Sequence, residues 1–218
     1  MLRILSMYRR FIVTGMLVFF SLGFLIFFTE SDALSPVLQK FIVSIVFFLV
    51  IPLLYSKIVL SESLKNLGFQ KGNFGAGVFT GLLSVALAGG VVVWLALSFP
   101  SFHEQYTLPA SVENSFLWFV FYELVLVSLS VLLYEVFFRG LVELFWLREF
   151  KWWSILIQAV LFFGLLALSR SISWQMVPLL IFCPLSGLIA YRSKSIWYSV
   201  VASWIFLFLT DVFFLIYR

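Results

Sequence analysis

Histidine and cysteine are almost missing from this chain: there is one of each in 218 residues. A lone Cys183 cannot close an intrachain disulfide. Nor can it build a zinc site with His103, which is distant in sequence and alone. No metal and no other cofactor is therefore expected. Cys183 lies in an apolar run and reads as a small buried hydrophobe. The lack of histidine also removes Ser/His and Cys/His nucleophilic catalysis, because His103 sits in the most polar loop and no apolar run contains another. Charge is scarce as well. Charged residues make up 11% of the chain, against about 25% in a soluble domain. The net charge of +4 is modest and no basic patch interleaves with exposed aromatics, so nucleic acid is not expected as a partner. There is no internal repeat, no linker and no sign of a second domain.

What remains is greasy sequence. Hydrophobic residues make up 63% and the mean hydropathy is +1.13. The apolar runs are about 18–25 residues long, the length of a helix across a bilayer, whereas a barrel would alternate in runs of about 10. The chain is thus expected to be an all-α polytopic membrane protein, a bundle of about seven transmembrane helices in one membrane domain over 1–218. The spans are placed at 11–29, 37–60, 75–99, 115–147, 152–168, 175–191 and 195–217. The first follows a basic start (Arg3, Arg9, Arg10), but it exceeds a signal-peptide core and no small-x-small cleavage site follows it. Glu30 and Asp32 then begin a short outer loop, and Pro36 reads as a helix start. With the N-terminus inside, Lys57, Lys65, Lys71, Arg148, Lys151, Arg192 and Lys194 also fall inside, and Lys40, Arg170 and Arg218 fall outside. That asymmetry predicts a multi-pass plasma- or inner-membrane protein with a cytoplasmic N-terminus.

Smaller features punctuate the spans. Pro52, Pro178 and Pro184 are expected kinks, and Gly140 an expected bend in a run too long for an upright helix. Residues 61–69 read as a short interfacial amphipathic piece ended by Gly68. Gly77 and Gly81 have Gly-x-x-x-Gly spacing, which reads as a packing face. The loop 100–114 carries His103, Glu104 and Glu113 and no Lys or Arg.

The stretch 132–150 is different in kind. It is an apolar helix pattern carrying Glu135, Arg139 and Glu143 at four-residue spacing, hence on one face. Arg139 has a carboxylate one turn before it and one turn after. Glu123 precedes Glu135 by 12 residues, about 3.3 turns, close to the same face. Asp211 is a further acid within the last span. Two readings stand: an ion-pair ladder that steadies a tilted helix, or a functional intramembrane site. A carboxylate pair made of Glu123 or Glu135 with Asp211 has no motif behind it.

The run Tyr134-Glu135-Val136-Phe137-Phe138-Arg139-Gly140 resembles the first motif of the CPBP family, the CAAX-protease and bacteriocin-processing membrane endopeptidases: Glu-Glu-x-x-x-Arg, commonly followed by Gly. A Leu-Gly-Phe segment (67–69) and a Gly-rich span precede it, as is frequent in that family. The resemblance implies a CPBP-like core over about 75–217, preceded by the helices within 11–60. It also implies a second motif, Phe-x-x-x-His, and a third, His-x-x-x-Asn. Here the leading Glu, which activates water in the family, aligns with Tyr134. The His of the second motif aligns with Ala167 (Phe163 to Ala167), and the His and Asn of the third with Ser203 and Leu207. Tyr134 and Ala167 stand 16 and 17 residues either side of the turn near Phe150, at similar depth. Glu135 and Arg139 survive. A carboxylate base and oxyanion donors each contribute factors of about 10² to 10⁴, and Tyr, Ala and Leu do not replace them.

Three functional readings follow. The chain is a catalytically degenerate family member that scaffolds or regulates, binding membrane lipids together with another membrane protein or a hydrophobic peptide. Alternatively, it is an active endopeptidase for prenylated or hydrophobic peptides with Glu135 as substitute base. Or it is a small transporter or assembly subunit with Glu123, Glu135, Arg139 and Asp211 along a polar path.

Overall fold

The computed structural model describes residues 2–29 and 35–217. Glu30 and Asp32, expected to begin an outer loop, and Arg218 lie outside the described residues. Nine helices, and no strand, are found among the described residues. They are α1 (Leu2–Ile26), α2 (36–59), α3 (Phe74–Ser98), α4 (Pro100–Gln105), α5 (Ala110–Glu113), α6 (116–150), α7 (Trp153–Leu168), α8 (Val177–Ser193) and α9 (Ile196–Ile216). Five of the apolar segments are long enough to cross a bilayer: Leu38–Val59, Phe74–Ser98, Phe116–Leu147, Trp174–Ser193 and Ile196–Ile216. Arg10–Ile26 and Trp153–Leu168 are shorter apolar helices. The protein is an all-α integral membrane protein.

Local chemistry sets several boundaries. Ser35 caps α2 by accepting from the Leu38 amide, and Pro36 opens the helix where its missing N–H costs nothing. Asn73 caps α3 by accepting from the Ala76 amide at 3.0 Å. Pro178 lies in the first turn of α8, a helix start and not the expected kink, whereas Pro184 is inside that helix. Pro52 stands between two π-type turns, Val46–Val50 and Tyr55–Val59. Wide turns of this kind accommodate a broken ladder. In α6 the turns Tyr122–Val127 and Glu135–Leu144 are π-type too. Gly140 is therefore inside a wide turn and not at a simple bend.

The packing gathers α3, α8 and α9 on one side. Gly77, Gly81, Ser84, Ala88, Val92 and Ala96 form a buried stripe along α3. A Cβ on Gly77 would meet the Tyr198 ring at 2.5 Å, and one on Gly81 would lie 3.6 Å from Ala202 Cβ, so the Gly-x-x-x-Gly face packs on α9. A second core joins α1 and α2 to α6 and α7 through Val18, Leu22, Phe48, Phe137, Phe138 and Phe162. Thr14 and Tyr55 tie α1 to α2 with a hydroxyl–hydroxyl bond of 2.8 Å.

One end of the bundle is closed by the segment after α2. The 3₁₀ turn Leu64–Leu67 ends on Gly68 at φ +83°, as read from the sequence. Its two faces differ, as an amphipathic piece requires: Ser61, Ser63, Leu64 and Lys65 are exposed. Leu67 is buried in the core, and the Ile196 amide donates to the Gly68 carbonyl at 3.1 Å. Arg10 pairs with Glu62 at 3.5 Å on the same end. At the other end α4 and its loop meet the start of α8, where Gln175 Nε2 donates to the Thr107 carbonyl at 2.8 Å.

Candidate functional site

Glu135 and Arg139 sit in the middle of α6, both buried. Arg139 Nε stands 3.5 Å from Glu135 Oε2, a helical i,i+4 ion pair. Ser203 on α9 donates to Glu135 Oε1 at 2.9 Å. The far end of the guanidinium reaches α8: Nη2 donates to the Cys183 carbonyl at 2.9 Å and to the Ser186 hydroxyl. Gln158 on α7 donates to that same carbonyl at 3.3 Å. One carboxylate and one guanidinium thus tie α6, α8 and α9 together, and α7 joins them through the shared Cys183 carbonyl. Each charge has partners that offset its desolvation.

Glu143 does not complete the ladder. It is fully buried, neither of its oxygens is hydrogen-bonded, and no ion pair to Arg139 forms. The reason is directional. A helical side chain leans towards the turn before it, so Arg139 covers Glu135 and not Glu143. Glu143 lies instead against α8, where a Cβ on Gly187 would stand 2.8 Å from its Oε2 and 2.7 Å from Gln158 Nε2.

Of the positions aligned with the family's catalytic groups, the structure brings three together. Tyr134 and Ser203 line a small cavity of about 20 Å³ beside Glu135 and Arg139. Tyr134 and Leu207 line a second cavity of about 580 Å³ that reaches Tyr106, Gln175 and Asp211 at the α4–α5 end. Tyr134 also borders a third, of about 250 Å³, towards Phe48 and Lys40 on α2. Ala167 is not part of the group. It is exposed on α7 and lines none of these cavities. The residue of α7 that meets Tyr134 is Phe162, with ring centroids 5.5 Å apart. Counting residues from the turn set Ala167 opposite Tyr134, but it took no account of azimuth, and Phe162 holds that place. Five residues beyond Phe162 is about 140° round the helix from it.

Glu123 and Glu135 both face α9, as their expected common face requires. In an ideal helix 12 residues would leave them about 120° apart. The π-type turn Tyr122–Val127 takes up an extra residue and cancels most of that offset. Glu123 is buried with its carboxyl against that of Asp211. Tyr106 donates to Asp211 Oδ1. Burial and the adjacent Asp211 push the Tyr106 phenol well above its ordinary range, so it remains a donor. Cys183 is buried and free, as read, with its thiol 3.7 Å from Gln158 Oε1. His103 packs against Phe214 and Tyr217 near the α4 end and takes no part in the Glu135 cluster. Among the described residues no group of three or more His, Cys, Asp or Glu is arranged to hold a metal.

Residues 114–209, which run from just before α6 into α9, match the family model described as type II CAAX prenyl endopeptidase Rce1-like. This core is CAAX-protease-like. The match covers the Glu135–Arg139 motif and Tyr134, Ala167, Ser203 and Leu207, and leaves α1 to α5 outside. No curated protein and no solved structure matches the chain. In the CAAX-protease-like core, Ser186, which accepts from the guanidinium, and Gln158, which shares the Cys183 carbonyl with it, had one sequence signal between them: Gln158 is a lone amide in an apolar span.

Proposed function

We propose that this CAAX-protease-like protein is catalytically inactive and uses its intramembrane cavities to bind a partner, either another membrane protein or a hydrophobic peptide, among membrane lipids. The observation that carries the reading is the division of labour between neighbours. Tyr134, at the position of the family's water-activating Glu, is the residue that faces all three cavities. Glu135, the carboxylate that remains, is engaged by Arg139 and Ser203. A phenol with an ordinary pKa of about 10 is a poor base at neutral pH. The basic residues at the Arg10, Lys65, Lys71, Lys151 and Lys194 end favour that end as cytoplasmic, with the N-terminus inside. The test is direct. The purified protein in lipid discs is incubated with a library of hydrophobic and prenylated peptides, and products are followed by mass spectrometry. No turnover is expected. Cleavage that disappears in Glu135→Gln sinks the proposal.

A second reading has one observation in its favour. Glu135 Oε2 receives no hydrogen bond and adjoins the cavity of about 20 Å³, which is room for one water. A water there would sit beside a carboxylate, as an endopeptidase needs. The same assay decides between the two. A transport path is disfavoured by the pairing of Glu135 with Arg139, which ties the middle of α6 to α8 and α9.

A further inference from the structure

We infer that the corner where residues 64–73 meet the turn between α8 and α9 binds the headgroup of an anionic phospholipid, through Lys65, Lys71, Arg192 and Lys194. The site is separate from the cavities and holds whether or not the core is inactive.

Four hydrogen bonds join the two segments. The Ile196 amide donates to the Gly68 carbonyl at 3.1 Å, and the Asn73 amide to the Ser193 carbonyl at 2.8 Å. Gln70 Nε2 donates to the Lys194 carbonyl at 2.8 Å, and the Ser195 hydroxyl to the Gln70 carbonyl at 2.6 Å. Lys71 is thereby held beside residues 192–194, and Lys65 stands on the 3₁₀ turn that Gly68 ends. All four cations are exposed. Among the described residues none of them forms an ion pair. The Lys194 amine stands 4.2 Å from the centre of the Tyr191 ring, which leaves its charge uncompensated. The acids of this end are engaged or placed elsewhere. Glu62 pairs with Arg10 and accepts from Asn66 at 3.0 Å. Glu143 is fully buried, and Glu149 is on the last turn of α6. Four like charges on one corner repel one another, and an anion relieves that.

Depth selects a lipid over a soluble anion. Phe74 opens α3 and Ile196 opens α9, so Lys71 and Lys194 lie just beyond the ends of two spans. Phe74 and Trp197 are exposed beside them, backed by Tyr198 and Phe69 with ring centroids 6.1 and 5.8 Å apart. Exposed aromatics at span ends mark the headgroup level. Leu64 is exposed on the same turn as Lys65, which gives that turn an apolar side for the bilayer and a charge for its surface. Juxtamembrane clusters of about four to eight Lys or Arg attract anionic lipid.

The probes are phosphatidylglycerol and phosphatidylcholine with the same acyl chains, each titrated into the full-length protein in mild detergent and counted by native mass spectrometry. Phosphatidylglycerol is expected to bind at least about tenfold tighter, since each cation near an anionic surface adds about fivefold. Lys71→Gln and Lys194→Gln are each expected to weaken phosphatidylglycerol by about fivefold and to leave phosphatidylcholine unchanged. Lys151→Gln is the control. It removes one charge from the same end, on the α6–α7 turn, where Phe150 meets Phe11 of α1, and is expected to change neither affinity. Equal affinity of the wild-type protein for the two lipids overturns the proposal, as does a preference untouched by both Lys71→Gln and Lys194→Gln. A loss with Lys151→Gln as large as with Lys194→Gln also overturns it, because the lipid then senses the charge of the whole end. A soluble polyglutamate peptide, titrated in the same way, is expected to bind more weakly than phosphatidylglycerol. Tighter binding would make the corner a surface for an acidic protein segment and overturn the lipid assignment. The wild-type comparison stands even where a variant does not fold.

Discussion

Arg139 serves one of its two flanking carboxylates. It pairs with Glu135 at 3.5 Å and spends its remaining donors on α8, at the Cys183 carbonyl and Ser186. Removing it leaves Glu135 buried with a single donor, Ser203. Arg139→Ala is therefore expected to destabilise by about 3–5 kcal/mol, whereas the double change Glu135→Leu with Arg139→Leu is expected to cost less than the single one. Reversible unfolding in mixed micelles measures both, and a double variant worse than Arg139→Ala would contradict the pairing. Ser203→Ala removes a donor at 2.9 Å and is expected to cost about 1–3 kcal/mol in the same assay. The Glu135–Arg139 pair was legible in the sequence because i,i+4 spacing is local. Ser186 and Gln158 were not, because which residue of one helix faces another depends on rotation about its axis. The same blindness misplaced Ala167.

At the scale of elements, the closed end of the bundle depends on close backbone approach. Gly72 has φ +56°, and a Cβ there would stand 2.1 Å from the Ser193 carbonyl oxygen. The Asn73 amide beside it donates to that carbonyl at 2.8 Å. Gly72→Ala must both strain the backbone, by roughly 1–2 kcal/mol, and push the α8–α9 corner away. Gly140 meets the same end from α6, where a Cβ would lie 2.9 Å from the Leu67 carbonyl oxygen. That contact is a physical reason for a glycine after the Glu-x-x-x-Arg motif in this chain. By contrast Gly90 on α3 is exposed with nothing near its missing Cβ. Gly90→Ala is expected to be neutral or to stabilise by up to about 1 kcal/mol. Thermal melts of the two variants check the order, and a Gly72→Ala melt equal to wild type would remove the argument. The apolar spans after the first were legible to within a few residues, since apolar runs and capping residues mark them, whereas α1 begins at Leu2 and α4 and α5 lie in the stretch read as a loop. The π-type turns of α2 and α6 were not, and they decide that Glu123 and Glu135 share a face.

For the whole molecule, the question is whether the fold is one substitution set away from an endopeptidase. The positions aligned with the missing groups divide between two surroundings. Tyr134, Ser203 and Leu207 border the cavities, and Ala167 is on the exposed side of α7. Side chains at 134 and 203 can meet over Glu135, but one at 167 reaches away from them unless α7 turns about its axis. Such a turn would remove Phe162 from Tyr134 and Phe138, whose rings it meets at 5.5 and 5.2 Å, and Gln158 from the Cys183 carbonyl. Burying a large aromatic contributes several kcal/mol, more than a single new hydrogen bond returns. The combined variant Tyr134→Glu, Ala167→His, Ser203→His, Leu207→Asn is therefore expected to fold more weakly than wild type and to show no peptide turnover in discs. Turnover by that variant, lost again on reverting His at 167 to Ala, would mean that α7 rotates and that the chain is separated from catalysis by its side chains alone. No turnover, with Phe162 still protected from the bilayer, would place the difference in the helix packing.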